Sequence, residues 1–94
     1  MSPSSVQRRT VHYTGHVQGV GFRYNVVSVA QRFAVTGFVQ NLPDRRVLLV
    51  AEGMPAELDG LLAAVAERME NHIRSVQVDI TAASGEFFRF EIRH

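Results

Sequence analysis

Gly15-His16-Val17-Gln18-Gly19-Val20-Gly21-Phe22-Arg23 sits between two segments of different period. Before it, Val11 and Tyr13 alternate with Thr10, His12 and Thr14, the two-residue period of a half-buried strand. After it, Phe22, Val26, Val29, Ala30 and Phe33 recur at helical spacing. The three glycines must therefore turn the chain from strand into helix, and glycine alone makes such a turn with positive φ at little steric cost. No Ser, Thr, Asp or Asn stands at positions 19 to 21 to cap the incoming helix, so its first N–H groups lack a nearby side-chain acceptor. Arg23 adds a cation in the first turn, where the helix dipole favours an anion. A bound phosphate or carboxylate would reconcile the two, because successive N–H groups and a guanidinium match anionic oxygens. On the residues alone, a plain strand-to-helix turn with a solvated Arg23 is an equal alternative.

Around this loop the remaining elements follow from pattern. Residues 1–7 are polar and are expected to form a disordered tail ahead of a single domain over residues 8–94. The first strand is expected over Arg9 to Thr14, with His12 on its surface, and the first helix ends near Ala34. Val35 to Leu42 and Arg46 to Glu52 read as a second and a third strand, joined by a turn at Leu42-Pro43-Asp44-Arg45. Pro55 opens a second helix, whose start is complemented by Glu57 and Asp59. Leu58, Leu61, Leu62, Val65 and Met69 are its core stripe. Gly60 is expected to let that helix approach the sheet closely, and Asn71-His72 to stop it. Val76, Val78 and Ile80 mark a fourth strand, and Phe88, Phe90 and Ile92 a short terminal one.

The order strand, helix, strand, strand, helix, strand predicts an α+β, ferredoxin-like split βαβ sandwich. Its antiparallel sheet has four to five strands, with two helices on one face. Right-handed crossovers make the first two strands run in the same direction, with the third antiparallel between them. The glycine loop with Arg23 and the end of the second strand with Asn41 then converge on one edge of the sheet.

Two motifs carry a family resemblance. Gly15-x-Val17-Gln18-Gly19-Val20-x-Phe22-Arg23 resembles the first signature of the acylphosphatase family, and Gly37-Phe38-Val39-Gln40-Asn41 followed by Val47 and Gly53 resembles the second. The match runs from about Arg9 to the C-terminus. It implies the same ferredoxin-like fold and hydrolysis of acyl phosphates to carboxylate and inorganic phosphate. It assigns phosphate binding to Arg23 and orientation of the attacking water to Asn41. The backbone N–H groups of Val17, Gln18, Gly19, Val20, Gly21, Phe22 and Arg23 would cradle the phosphate. Arg45 departs from the pattern, standing where the second motif usually carries glycine; either it accepts positive φ or the turn takes another geometry.

The chemistry available to such a site is narrow. Neither motif places a carboxylate, thiol or hydroxyl as nucleophile or general acid, and His16 occupies a variable motif position outside the expected catalytic set. A site of this kind requires a leaving group that departs unprotonated, and a carboxylate with a conjugate-acid pKa of about 4 does so. No cofactor or metal is expected. The nine acidic residues, Glu52 among them, show no ligand spacing and read as solvated surface charge.

A formal net charge of +1 over 94 residues offers no nucleic-acid or membrane footprint, although all ten Lys/Arg positions are arginine. An RNA-recognition module of the same topology would need aromatics on its central strands, and Arg46 to Glu52 has none. A non-catalytic anion-binding or interaction module is the remaining alternative. The absence of cysteine and of any signal-like apolar run predicts a cytoplasmic protein. The expected partner is a small-molecule acyl phosphate, and the expected state a monomer.

Overall fold

The computed structural model describes residues 5–94. The elements are β1 (Gln7–Gly15), α1 (Phe22–Ala30), β2 (Val35–Asn41), β3 (Val47–Gly53), α2 (Pro55–Arg68), β4 (Ile73–Ala82) and β5 (Phe90–Arg93). They form one five-stranded sheet in the order β4-β1-β3-β2-β5. This is the ferredoxin-like split βαβ arrangement, with β3 antiparallel to both β1 and β2 as crossover handedness requires. The sheet is mixed rather than wholly antiparallel, because β5 runs parallel to β2 at the far edge. The expected tail over residues 1–7 lies, for its first four positions, outside the described residues; β1 begins at Gln7, opposite Gly53.

One sheet face carries the core. Val11, Tyr13, Val39, Val47, Leu49 and Ala51 lie on it, and both helices cover it with Phe22, Val26 and Val29 of α1 and Leu58, Leu61 and Val65 of α2. The helical residues match the stripe read from the sequence. Burial of each such side chain contributes about 2 kcal/mol against the exposed state. Two boundaries differ. α1 ends at Ala30, because the N–H groups of Arg32 and Phe33 bond to the carbonyls of Val29 and Ala30, tightening the last turn. α2 ends at Arg68, with Met69 as its C-cap and buried in the core. A Cβ on Gly60 would meet the Phe33 ring at 2.5 Å, so that glycine admits an aromatic from the turn after α1 rather than the sheet.

The second sheet face is also used. The chain leaves β4 at one edge and enters β5 at the other, and residues 83–89 cross this face. Glu52 holds the crossing: its carboxylate accepts from the N–H groups of Ser84 (2.8 Å) and Gly85 (2.9 Å) and from the Arg8 guanidinium (2.7 Å). Phe87 then packs edge-on against Phe38, with centroids 5.8 Å apart. Glu52 is consequently 5% exposed and not the solvated charge its sequence context suggested. Burial pushes its carboxyl upward, but the two N–H groups, Arg8 and the Ser84 hydroxyl outweigh burial and hold its pKa down at about 2. The crossing also delays the last strand, so Phe88 lies outside β5 and is 96% exposed.

Candidate functional site

β1 and β2 end at the same edge of the sheet because both run antiparallel to β3. Val47 is in register with Tyr13 on one side and with Asn41 on the other. At two inter-strand spacings, the backbone of Asn41 stands about 10 Å from that of Tyr13, two residues before β1 ends. Tyr13 also fixes the far side of the loop, since its ring meets that of Phe22, the first residue of α1, at 5.1 Å between centroids. The loop of residues 16–21 is thus held at both ends by core packing.

Inside it, Gly19 and Gly21 adopt the left-handed conformation, with φ of 77° and 76°. Alternation of left-handed residues with ordinary ones turns successive N–H groups toward a common concavity. Gly21 is the N-cap of α1 and brings no side-chain cap, and no acidic residue stands in the first turn. Among the described residues, no acceptor meets the N–H groups of Val17 to Arg23. Val17 itself is fully packed in the core, which anchors the loop. Arg23 is half-buried and makes no hydrogen bond or ion pair among the described residues. The first-turn conflict between cation and helix dipole is therefore present in the fold.

Val17, Gly19, Gly21 and Phe22 line a depression of about 180 Å³ together with Arg23, Tyr24 and Asn41. The Oδ1 of Asn41 is buried and meets no hydrogen-bond donor among the described residues. An unmet acceptor of this kind costs about 1–3 kcal/mol, and such atoms concentrate where a ligand or water completes the bonding. The sequence-predicted residues Arg23 and Asn41 are brought together, with most of the loop. The side chains of two residues of the expected cradle are engaged elsewhere, while their N–H groups meet no acceptor among the described residues. Val20 packs its side chain against the core, and Gln18 turns its carboxamide away to donate to the carbonyls of Leu42 (2.8 Å) and Arg46 (2.9 Å). Gln18 thereby ties the loop to the β2–β3 hairpin, a role with no sequence signal because its acceptors are backbone atoms more than twenty positions away. Tyr24, 77% exposed, also lines the depression and lies outside the residues expected there.

The hairpin resolves the question at Arg45. Its φ is 76°, the value a glycine takes without strain, and its N–H donates to the Leu42 carbonyl. Arg46, not Arg45, pairs with Asp44, at 2.7 Å through its guanidinium and 3.1 Å through its N–H. Those two bonds, the backbone one first, hold the Asp44 carboxyl below its ordinary value. Arg45 joins His16, Gln18, Val17 and Gly15 around a second depression of about 300 Å³, which shares Val17 with the first. No cluster of three or more His, Asp or Glu side chains is placed to hold a metal ion among the described residues.

Fold and site together define a small ferredoxin-like α+β domain whose first strand-to-helix loop presents unpaired N–H groups beside a free arginine. The chain belongs to the acylphosphatase family, whose profile matches residues 9–92, and with it to the hydrolases. An acylphosphatase of Salinibacter ruber is 38% identical over 94 residues, covering 99% of each chain. One of Paenarthrobacter aurescens is 38% identical over 86 residues, covering 90% of this chain and 92% of its own. The crystal structure of acylphosphatase from Bacillus subtilis superposes with a TM-score of 0.80 at 32% identity, covering 95% of this chain and 99% of that one.

Proposed function

We propose that the chain hydrolyses the carboxyl–phosphate bond of acyl phosphates without a metal, using Arg23, Asn41 and the N–H groups of the Val17–Arg23 loop. The observation that carries this reading is the meeting of a free guanidinium, unpaired N–H groups and an unmet carboxamide oxygen in one depression. Phosphoryl transfer through a loose transition state needs positioning and charge stabilisation more than covalent assistance. The N–H groups and Arg23 hold the non-bridging oxygens and stabilise the charge spread over them. Asn41 accepts a hydrogen bond from the attacking water and aims its oxygen at phosphorus. As the new P–O bond forms, the bond to the acyl oxygen breaks. The carboxylate leaves with the electron pair, and the water's proton passes to phosphate or solvent. No group need protonate the leaving oxygen, because a carboxylate is stable at neutral pH.

Residues 8–94 are taken as a single domain acting as a cytoplasmic monomer on a small molecule, with no nucleic-acid or membrane partner. No helix among the described residues is long and apolar enough to cross a membrane. The test is turnover of benzoyl phosphate by the purified protein in excess EDTA, with a simple alkyl phosphate alongside. Rapid hydrolysis of the first and none of the second is expected. Loss of activity with EDTA would reject the metal-free mechanism, and phosphate binding without turnover would reduce the protein to an anion-binding module.

A further inference from the structure

The two depressions that share Val17 differ in what they offer. The one with Arg23 and Asn41 holds the machinery for a phosphoryl group, while the side chains of His16, Gln18 and Arg45 around its neighbour supply no group to that chemistry. Arg45 is unusual there on three counts. It is the one non-glycine residue with positive φ among the described residues, a conformation that is costly for a residue with a side chain. Its side chain makes no hydrogen bond or ion pair among the described residues that would offset the cost, and it is exposed. The adjacent carboxylate, Asp44, is engaged by Arg46 on two sides, so the charge of Arg45 is not locally neutralised. No acidic residue lines either depression, and the far flank of Gly15 adds His72 and Arg74.

We infer that Arg45 forms, with the His16–Gln18 depression, an acyl-side subsite that selects acyl phosphates whose acyl group carries a second negative charge. This rests on the acyl phosphate reading above. The phosphoryl group would sit on the loop N–H groups and Arg23, and the acyl substituent would extend past Val17 toward the Arg45 guanidinium. Gln18 serves the subsite indirectly, since its two bonds to the hairpin set where Arg45 stands relative to the loop. A guanidinium paired with a carboxylate at such an open position is a solvent-screened interaction, so the selectivity is modest and falls with salt.

The test is the ratio of kcat/KM for para-carboxybenzoyl phosphate to that for benzoyl phosphate, at low and high ionic strength. The wild type is expected to favour the carboxylated substrate by about fivefold at low salt, the upper end for an exposed ion pair. The ratio should fall to about one in Arg45→Gly, which keeps the backbone conformation, and persist in Arg45→Lys, which keeps the charge. A wild-type ratio near one, or a ratio unchanged in Arg45→Gly, overturns the subsite. So does an equal fall in Arg74→Ala, since a general field from any nearby cation would then suffice. No turnover of benzoyl phosphate by the wild type would overturn the acyl phosphate reading itself, an outcome distinct from these.

Discussion

The side-chain amide of Gln18 donates to the carbonyl of Leu42 at 2.8 Å, joining the loop after β1 to the residue that follows Asn41. A second bond, to the carbonyl of Arg46, makes the tie bidentate. Both acceptors also receive hairpin N–H bonds, so Gln18 adds to a turn that is already closed and fixes its position against the loop. Arg23 and Asn41 come from separate elements, and this tie joins the loop that precedes Arg23 to the hairpin that follows Asn41.

Gln18→Ala should therefore loosen the site as well as the fold. Loss of the two bonds is expected to cost about 1–2 kcal/mol of stability. Misplacement of Asn41 relative to the loop should lower kcat/KM on benzoyl phosphate about tenfold. Urea unfolding and steady-state kinetics on one preparation check both; full activity in a destabilised variant would show that the tie is structural only.

Arg23 and Asn41 separate binding from chemistry. Arg23→Ala removes the side-chain cation of the phosphoryl site and should reduce turnover by at least ~10²-fold. Asn41→Ala removes a group that acts mainly in the transition state, so kcat should fall with little change in KM. Circular dichroism should show both variants folded, since neither side chain belongs to the buried core. A raised KM with unchanged kcat in Asn41→Ala would contradict its role with the attacking water.

Arg45→Gly should stabilise the protein. Relief of the left-handed strain at φ 76° outweighs the extra freedom glycine gains when unfolded, for a net gain of about 0.5 kcal/mol. A shift of the urea midpoint to higher concentration with an unchanged slope would report it. A lower midpoint would mean that the Arg45 side chain holds the hairpin in place.

Glu52 sets an acid limit. Its carboxyl has a lower pKa folded than unfolded, so it stabilises the fold above the ordinary value of 4.5, and that contribution is lost as pH falls from there through about 2. Glu52→Gln should lower stability near neutrality by about 2 kcal/mol, allowing for solvent screening at the partly exposed Arg8. The same variant should show a flatter decline of stability with acid across that window. Parallel declines in the two proteins would indicate that other carboxyls govern acid unfolding.

What the sequence by itself determined is what short-range physics controls. Alternation around Val11 and Tyr13, the helical stripe from Phe22 to Ala30 and three glycines between them specify a strand, a turn and an uncapped helix start with Arg23 beside it. The handedness of crossovers then brings Asn41 to the same edge, because it depends on backbone chirality and not on particular contacts. The tertiary structure alone decided the rest. Glu52 reads in the chain as the polar end of an apolar strand, and it is buried because residues 83–89 cross the open sheet face and place two N–H groups and Arg8 around it. The clamp by Gln18 depends on a hairpin that pairs elsewhere, and the conformation of Arg45 on how that hairpin closes. Local period and propensity record what a residue prefers, whereas burial, partner and backbone strain depend on which distant segment arrives beside it.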